Sequence, residues 1–380
     1  MNELLDDRYI EYRKKIREFS ERVIKPLAIV QDEKEEFPVE LAQQMGRAGL
    51  FGITLPKKYG GQGLDYLSYI IAVEEIARVD SSPAATIAAH NSLGITPIYT
   101  HGTEEQRMNY LPELCTGDKL WAFGLTEKNA GSDAKGVETV AELADNQWLI
   151  NGSKMFITNS SSAIASGITL QAITDEKDGK KELSAILVNR NTPGYQTSPI
   201  KGKLMWRAVD NGELRFENCA VPESNLLGNR GDGMKIMLST LDGGRLSIAA
   251  IGLGLAQGAF EMAVDYSKKR KQFGKSLSEF QAISFKLAEM AVKIELARNT
   301  LYHACRLKDA GLPFAKQAAI SKLYCSEIAR EVADESLQVH GAYGFLRENH
   351  IERFYRDQRL LQIGEGTSEI LKMVISRYIL

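Results

Sequence analysis

The hydrophobic period of this chain changes twice, and that change limits the folds open to it. Residues 1–120 carry apolar residues at three- and four-residue spacing, which predicts helices. These are the charged amphipathic stretch Tyr9–Leu27, Leu41–Leu50 behind Pro38, Leu67–Val79 after the glycine-rich turn Tyr59–Gly63, and Glu104–Leu114. Pro83 and Pro97 punctuate further helices. Residues 121–228 read as short strands instead: Trp121–Thr126, Gln147–Asn151, Lys154–Asn159, Ile168–Ala172, Ser184–Val188 and Glu213–Phe216. Asn151-Gly152 predicts a hairpin turn, and Asp175–Lys181 a polar loop. Residues 229–380 return to the helical period in Arg245–Lys269, Glu279–Ala310, Pro313–His340 and Thr367–Tyr378, three of them long enough for a bundle. The expectation is a mostly α protein of three domains. A helical N-terminal domain spans 1–120, a compact β barrel or sandwich spans 121–228, and a C-terminal helical bundle spans 229–380.

Composition narrows the function. The length, 380 residues, is room for two or three units with a large core. Lys plus Arg is 47 and Asp plus Glu is 49, so the formal charge is −2 and a nucleic-acid partner is not expected. Cys115, Cys219, Cys305 and Cys325 form no C-x-x-C motif and read as reduced thiols. The five histidines form no ligand pair, so no metal site is expected. Met1–Glu18 is charged and lacks the apolar core of a signal peptide. The most apolar stretch, Leu246–Ala259, is broken by glycines and falls short of the ~20 residues of a membrane span. A bacterial cytoplasmic protein is expected, or a mitochondrial matrix protein if the chain is a processed form.

Two glycine clusters need separate readings. Gly252, Gly254 and Gly258 are spaced like a dinucleotide fingerprint, but no strand precedes them; close helix packing explains them better. Gly231 and Gly233 read as a turn before a helix. The stretch Thr126–Asp133 places hydroxyls and small residues after a strand, where backbone N–H groups can meet a flavin edge or a phosphate. An ordinary Gly-Ser-Asp turn has the same composition. In Phe156-Ile157-Thr158-Asn159 the aromatic can flank a planar ring or simply fill a β core.

Together with further spaced motifs, these residues resemble the acyl-CoA dehydrogenase family over almost the whole chain, with a short-chain or short-branched-chain flavour. The motifs are Leu125-Thr-Glu127 through Gly131-Ser-Asp133, Asn151–Asn159, Leu241-Asp-Gly-Gly-Arg245, Arg270-Lys-Gln-Phe-Gly274, Gln338–Phe345, Tyr355-Arg-Asp357 and Ile363–Ile370. The resemblance implies an N-terminal helical domain, a middle β domain and a C-terminal four-helix bundle. FAD would lie between the last two, partly covered by a neighbouring subunit of a homotetramer or dimer. It also implies α,β-dehydrogenation of an acyl-CoA, with electrons passed to an electron-transfer flavoprotein.

Residue roles follow from the same resemblance. Glu365 would be the base that takes the α proton. A member of the isovaleryl type carries its base on an earlier helix, and that position here is Gly244. Phe123, Leu125, Thr126, Gly131, Ser132 and Phe156 would line the flavin with Ile157 and Thr158. Arg270, Gln272, Phe273 and Gln281 would reach the pyrophosphate or adenosine of another subunit's FAD, with Gln338, Val339, Gly341 and Ala342. Thr367 and Glu369 would complete the flavin contacts. Ser132, Asp242, Arg245, Gly364 and Gly366 would meet the substrate. Several positions depart from the family's pattern. Lys128-Asn129 replaces a frequent Pro-Gly, Phe156 a Trp, and Ala342 a Gly. Gly364 replaces a Tyr, which opens space for a branched acyl group. Alternatives are the same chemistry on a carrier-protein-bound acyl group, an enoyl-CoA reductase, and a flavin oxidase or monooxygenase. Glu365 at the base position argues against the last.

Overall fold

A computed structural model describes residues 5–380. The first four residues of the charged N-terminal reading, Met1–Leu4, lie outside it. Seven helices open the chain: α1 Asp7–Phe19, α2 Ala28–Lys34, α3 Val39–Arg47, α4 Tyr66–Ala77, α5 Ser81–Ala88, α6 Thr96–His101 and α7 Glu104–Leu114. The single amphipathic stretch ending at Leu27 is broken by a π turn at Ser20–Ile24 and a 3₁₀ turn at Lys25–Leu27. Pro26 lies in that second turn and cannot donate to the helical ladder. The start of α7 is set by a capping box between Thr103 and Gln106. Every residue of α4 is buried, so it is a core helix. The acids Glu74 and Glu75 on it are paired with Arg13, Arg17 and Arg298.

The middle segment holds β1 Leu120–Gly124, β2 Val140–Ala144, β3 Gln147–Thr158, β4 Ala165–Lys177, β5 Lys180–Asn189, β6 Tyr195–Pro199, β7 Asn211–Pro222 and β8 Leu226–Leu227. Their order is β6-β7-β3-β2-β4-β5-β8, with β1 parallel to β4. The two halves meet at one bridge, Val140 to Ile173. They share one apolar core in which Trp148, Ile150 and Phe216 meet Ile168, Leu170 and Ile186. The predicted turn at Asn151-Gly152 is absent, since β3 runs straight through it. Gly152, at φ +146, sits where the β3–β7 register shifts and where Thr139 crosses closely. The hairpin turn falls earlier, at Asp145-Asn146, both left-handed. The expected loop Asp175–Lys181 is instead the end of β4, an Asp178-Gly179 turn and the start of β5.

The last segment holds α8 Gly233–Lys269, the short strands β9 Lys271–Gln272 and β10 Lys275–Ser276, α9 Gln281–Asp309, α10 Ala315–His340, α11 Ile351–Asp357 and α12 Ser368–Ser376. The helix α8 begins 12 residues before the predicted Arg245, and at 37 residues it is long and apolar enough to cross a membrane by length and composition. It is instead largely buried among α4, α9 and α10. A Cβ on Gly254 or Gly258 would overlap the carbonyls of Glu74 and Arg78, and one on Gly252 would lie 2.8 Å from the Cys325 carbonyl. The glycine spacing therefore serves helix crossing. All four cysteines are buried and unpaired.

Candidate active site

Glu365 lies between α11 and α12, in the connection that follows the 3₁₀ turn Gln358–Gln362. Glu365 and Gly366 are both left-handed, at φ +51 and +97. For a non-glycine residue that conformation costs of order 1–3 kcal/mol and must be held by its surroundings. Gly364 N–H donates to the Leu360 carbonyl at 2.9 Å. Lys322 Nζ, from α10, donates to the Gly366 carbonyl at 2.6 Å. Thr367 caps α12 by accepting from Ile370 N–H at 3.2 Å.

The Glu365 carboxyl points inward. Its Oε2 is buried and has no hydrogen-bond partner. It rests against the bare backbone of Gly244 on α8, where a Cβ would overlap Oε2 and stand 2.9 Å from Leu93 Cδ2. Burial pushes the Glu365 carboxyl up to about 7, against the pull of Lys322 and Arg245. Tyr66 and Tyr69 of α4 are within electrostatic reach of it, and burial holds both phenols above their usual range. Tyr66 OH donates to the Gly243 carbonyl at 2.7 Å, and Tyr69 OH to the Ala88 carbonyl at 2.9 Å. Arg245 is nearly buried and paired with Asp242 at 2.6 Å. The expected CoA-side arginine also acts electrostatically on the Glu365 carboxyl.

The loop Thr126–Asp133 is anchored by its own acid. Glu127 is buried, pairs with Lys154 at 2.6 Å and accepts from Thr139 Oγ1 and the Glu138 and Thr139 N–H groups. Thr126 C=O accepts from Met155 N–H at 2.9 Å. The two motifs recognised separately are one structural unit, with Gly131 and Ser132 held open at its tip. Phe156 is 63% exposed at φ +59, so it stands off the sheet, while Ile157 fills the β core. The Ile157 side chain is buried, so any contact it makes with a ligand would be through its backbone. Thr158 Oγ1 accepts from Asn211 Nδ2 at 2.9 Å. Phe123 and Leu125 are half-buried against the cluster around Trp121.

A second group lies at the far end of α8. Phe273-Gly274 is the left-handed turn of the β9–β10 hairpin, and Phe273 is 94% exposed. Arg270 lies over the Tyr343 ring at 5.4 Å, which brings this hairpin to the exposed segment containing Gly341 and Ala342. Gln272, Gln281 and Gln338 are exposed nearby in sequence, while the Val339 side chain is buried in the helical core, which leaves its backbone for a ligand. Glu369 is exposed on α12. In the Tyr355-Arg-Asp357 motif, Asp357 accepts from Trp206 N–H and Ser81 Oγ and Arg356 pairs with Asp32, so that motif ties domains together. Sequence reasoning missed Lys322, Tyr66 and Tyr69. The signal for Lys322 was a lysine within the buried stripe Ala318, Ser321, Cys325, Ile328, Ala329 of α10.

The donor set fits FAD. Hydroxyls of Thr126, Ser132 and Thr158 stand with an exposed aromatic for a planar ring, and an exposed guanidinium and amides stand at a second place for a pyrophosphate.

Comparison with known proteins agrees with this layout. Residues 6–118, 122–219 and 231–380 match the acyl-CoA dehydrogenase N-terminal, middle and C-terminal domains, respectively. A short-chain-specific acyl-CoA dehydrogenase of Clostridium acetobutylicum is 45% identical over 96% of each chain. An acryloyl-CoA reductase (NADH) of Anaerotignum propionicum is 41% identical over 97% of this chain and 93% of the relative. A chain in a solved structure concerning the electron transferring flavoprotein of Acidaminococcus fermentans and flavin-based electron bifurcation superposes over 100% of both chains, with TM-score 0.97 and 42% identity. The chain therefore belongs to the acyl-CoA dehydrogenase family, FAD-dependent oxidoreductases that act on a CH–CH bond.

Proposed function

We propose that this enzyme introduces an α,β double bond into a short or short-branched acyl-CoA thioester, with Glu365 as the base, and passes the electrons to an electron-transfer flavoprotein. The observation that carries the reading is the buried, unpartnered Oε2 of Glu365, held near neutral pKa. A general base works best when its pKa lies near the working pH. An oxygen with no partner is free to take the α proton of a substrate laid over it. FAD, when bound, would supply the acceptor for the β hydrogen as hydride, the part of the chemistry the side chains do not supply. The left-handed Glu365-Gly366 turn and the small Gly364 let backbone approach the thioester closely. Tyr66, Tyr69 and Leu93 exclude water around the carboxyl, which strengthens each polar contact made there.

A homo-oligomer is supported by length alone. Arg270 follows the end of α8, whose last residue, Lys269, is 25 residues beyond Gly244, or roughly 38 Å at the helical rise. That is farther than one dinucleotide spans from a ring beside Glu365. Arg270 would therefore serve the FAD of a second copy.

The test is an anaerobic titration of the purified yellow protein with butyryl-, isobutyryl-, 2-methylbutyryl- and isovaleryl-CoA. Bleaching of the visible flavin band by one of them, lost in Glu365→Gln, is the expected result. No bleaching by any of them would overturn it. The reductive direction is a second reading, favoured by the identity to the acryloyl-CoA reductase. It predicts that the pre-reduced protein is reoxidised faster by a short enoyl-CoA than the oxidised protein is bleached by the saturated thioester.

A further inference from the structure

Lys322 is fully buried on α10, in a stripe of Ala318, Ser321, Cys325 and Ala329. A buried ammonium is costly unless paired. Among the described residues, no carboxylate lies within 4.0 Å of its Nζ. Its hydrogen bond goes instead to the carbonyl of Gly366, the residue after the base. We propose that Lys322 is a positioning residue for the base. Its ammonium holds the left-handed Glu365-Gly366 turn in place and supplies the uncompensated positive charge that lets the Glu365 carboxyl ionise in apolar surroundings. This rests on the reading of Glu365 as the base.

The other groups around Glu365 do not supply that charge as freely. Arg245 on α8 is partly neutralised by Asp242 at 2.6 Å. From α4 come Tyr66 and Tyr69, neutral phenols whose hydroxyls are committed to the carbonyls of Gly243 and Ala88. The turn Ala89–Ile95 contributes Leu93, which is apolar. On α10 itself Glu327 is in reach of Lys322, but it accepts from Ser368 Oγ at 2.6 Å and pairs with Arg330 at 3.5 Å. Burial lowers the Lys322 ammonium and raises the Glu365 carboxyl, while the charge of each favours the ionised form of the other.

The experiment compares the FAD-loaded wild type with Lys322→Gln, Lys322→Met, Lys322→Arg and Glu365→Gln. Lys322→Gln keeps a donor for the Gly366 carbonyl without charge. Lys322→Met removes a buried charge and is expected to fold even where the glutamine does not. Two readouts are taken against pH. One is the rate of single-turnover flavin reduction by butyryl-CoA. The other is the protonated-carboxyl infrared band that disappears in Glu365→Gln. In Lys322→Gln and Lys322→Met, both midpoints should move up by about one unit, with rates falling about fivefold at pH 7 and converging with wild type at high pH. Lys322→Arg should restore the wild-type midpoint. Unchanged midpoints in Lys322→Met, with a uniform loss of rate or none, would overturn the proposal. Near-normal flavin reduction in Glu365→Gln would overturn the base assignment itself, an outcome distinct from the first.

Discussion

Glu365 Oε2 fills the space that a side chain on Gly244 would need. The two positions lie on different elements, the connection before α12 and the first third of α8, yet they converge on one small volume. A carboxyl reaching the substrate from either place would occupy it, so the absence of a side chain at 244 is a condition for Glu365 to act.

Gly244→Ala should therefore injure catalysis without removing any functional group. The added methyl overlaps Oε2 and presses on Leu93, so the carboxyl must swing away. Displacement of a reacting group by about 1 Å can cost ~10² in rate. Single-turnover flavin reduction should fall by about that factor, while bound FAD per chain stays at the wild-type level. A rate within twofold of wild type would show that the carboxyl does not sit over Gly244 in the working complex.

Glu365 also carries a cost in stability with a definite sign. Its carboxyl ionises near 7 in the folded chain against 4.5 as its unperturbed value. Between these values the folded state holds a proton that the unfolded state has lost. Its contribution is thus fully present below pH 4.5 and is lost as pH rises through about 7. At pH 8 Glu365→Gln should be more stable than wild type by up to roughly 3 kcal/mol, at 1.36 kcal/mol per unit, and the gain should shrink toward pH 5. Thermal unfolding of the two proteins at both pH values checks it; an equal gain at both would assign the effect to packing rather than ionisation.

Residue spacing revealed more of the helices than of the sheet. Glu104–Leu114 was legible to the residue because a capping box and apolar spacing agree there. Asn151-Gly152 misled because an Asn-Gly pair serves a register shift as well as a turn. The deciding fact, Thr139 crossing at Gly152, is a contact with another strand that local spacing does not encode. The same holds at the site. Glu365 stood out only through the resemblance to the family, whereas Tyr66, Tyr69 and Lys322 look like ordinary positions of buried helices. Only the packing of α4, α8 and α10 makes them neighbours of one carboxyl. Phe156 and Ile157 were ambiguous for a related reason, since a shift in the β3–β7 pairing decides which of the two faces out.

The Glu127–Lys154 pair ties the loop Thr126–Asp133 to β3, and breaking it should loosen the flavin site. Lys154→Met leaves Glu127 buried without its cation, which costs about 3–5 kcal/mol. FAD should be lost more readily on gel filtration, since the loop tip bearing Gly131 and Ser132 loses its anchor. Adding Glu127→Gln removes the stranded charge, so the double variant should recover part of both the stability and the FAD retention. A double variant less stable than Lys154→Met would mean that the hydrogen bonds from Thr139 and Glu138 to Glu127, not the ion pair, hold the loop.

Gly364 is the position most open to a change of specificity. It is not left-handed, and a Cβ there meets Leu360 at 3.6–3.8 Å, ordinary contact, so a larger residue fits without backbone strain. Gly364→Tyr places a phenol ring beside Glu365, in space that a branch on the α or β carbon of an acyl group would use. The kcat/KM for isobutyryl- and 2-methylbutyryl-CoA should fall at least about fivefold relative to butyryl-CoA, since overlap with a packed ring costs about 1–3 kcal/mol. Butyryl-CoA itself should keep most of its rate, because a straight chain can lie flat against the ring. If the straight and branched substrates lose activity equally, the glycine would be a hinge of the base loop and not a wall of the acyl pocket.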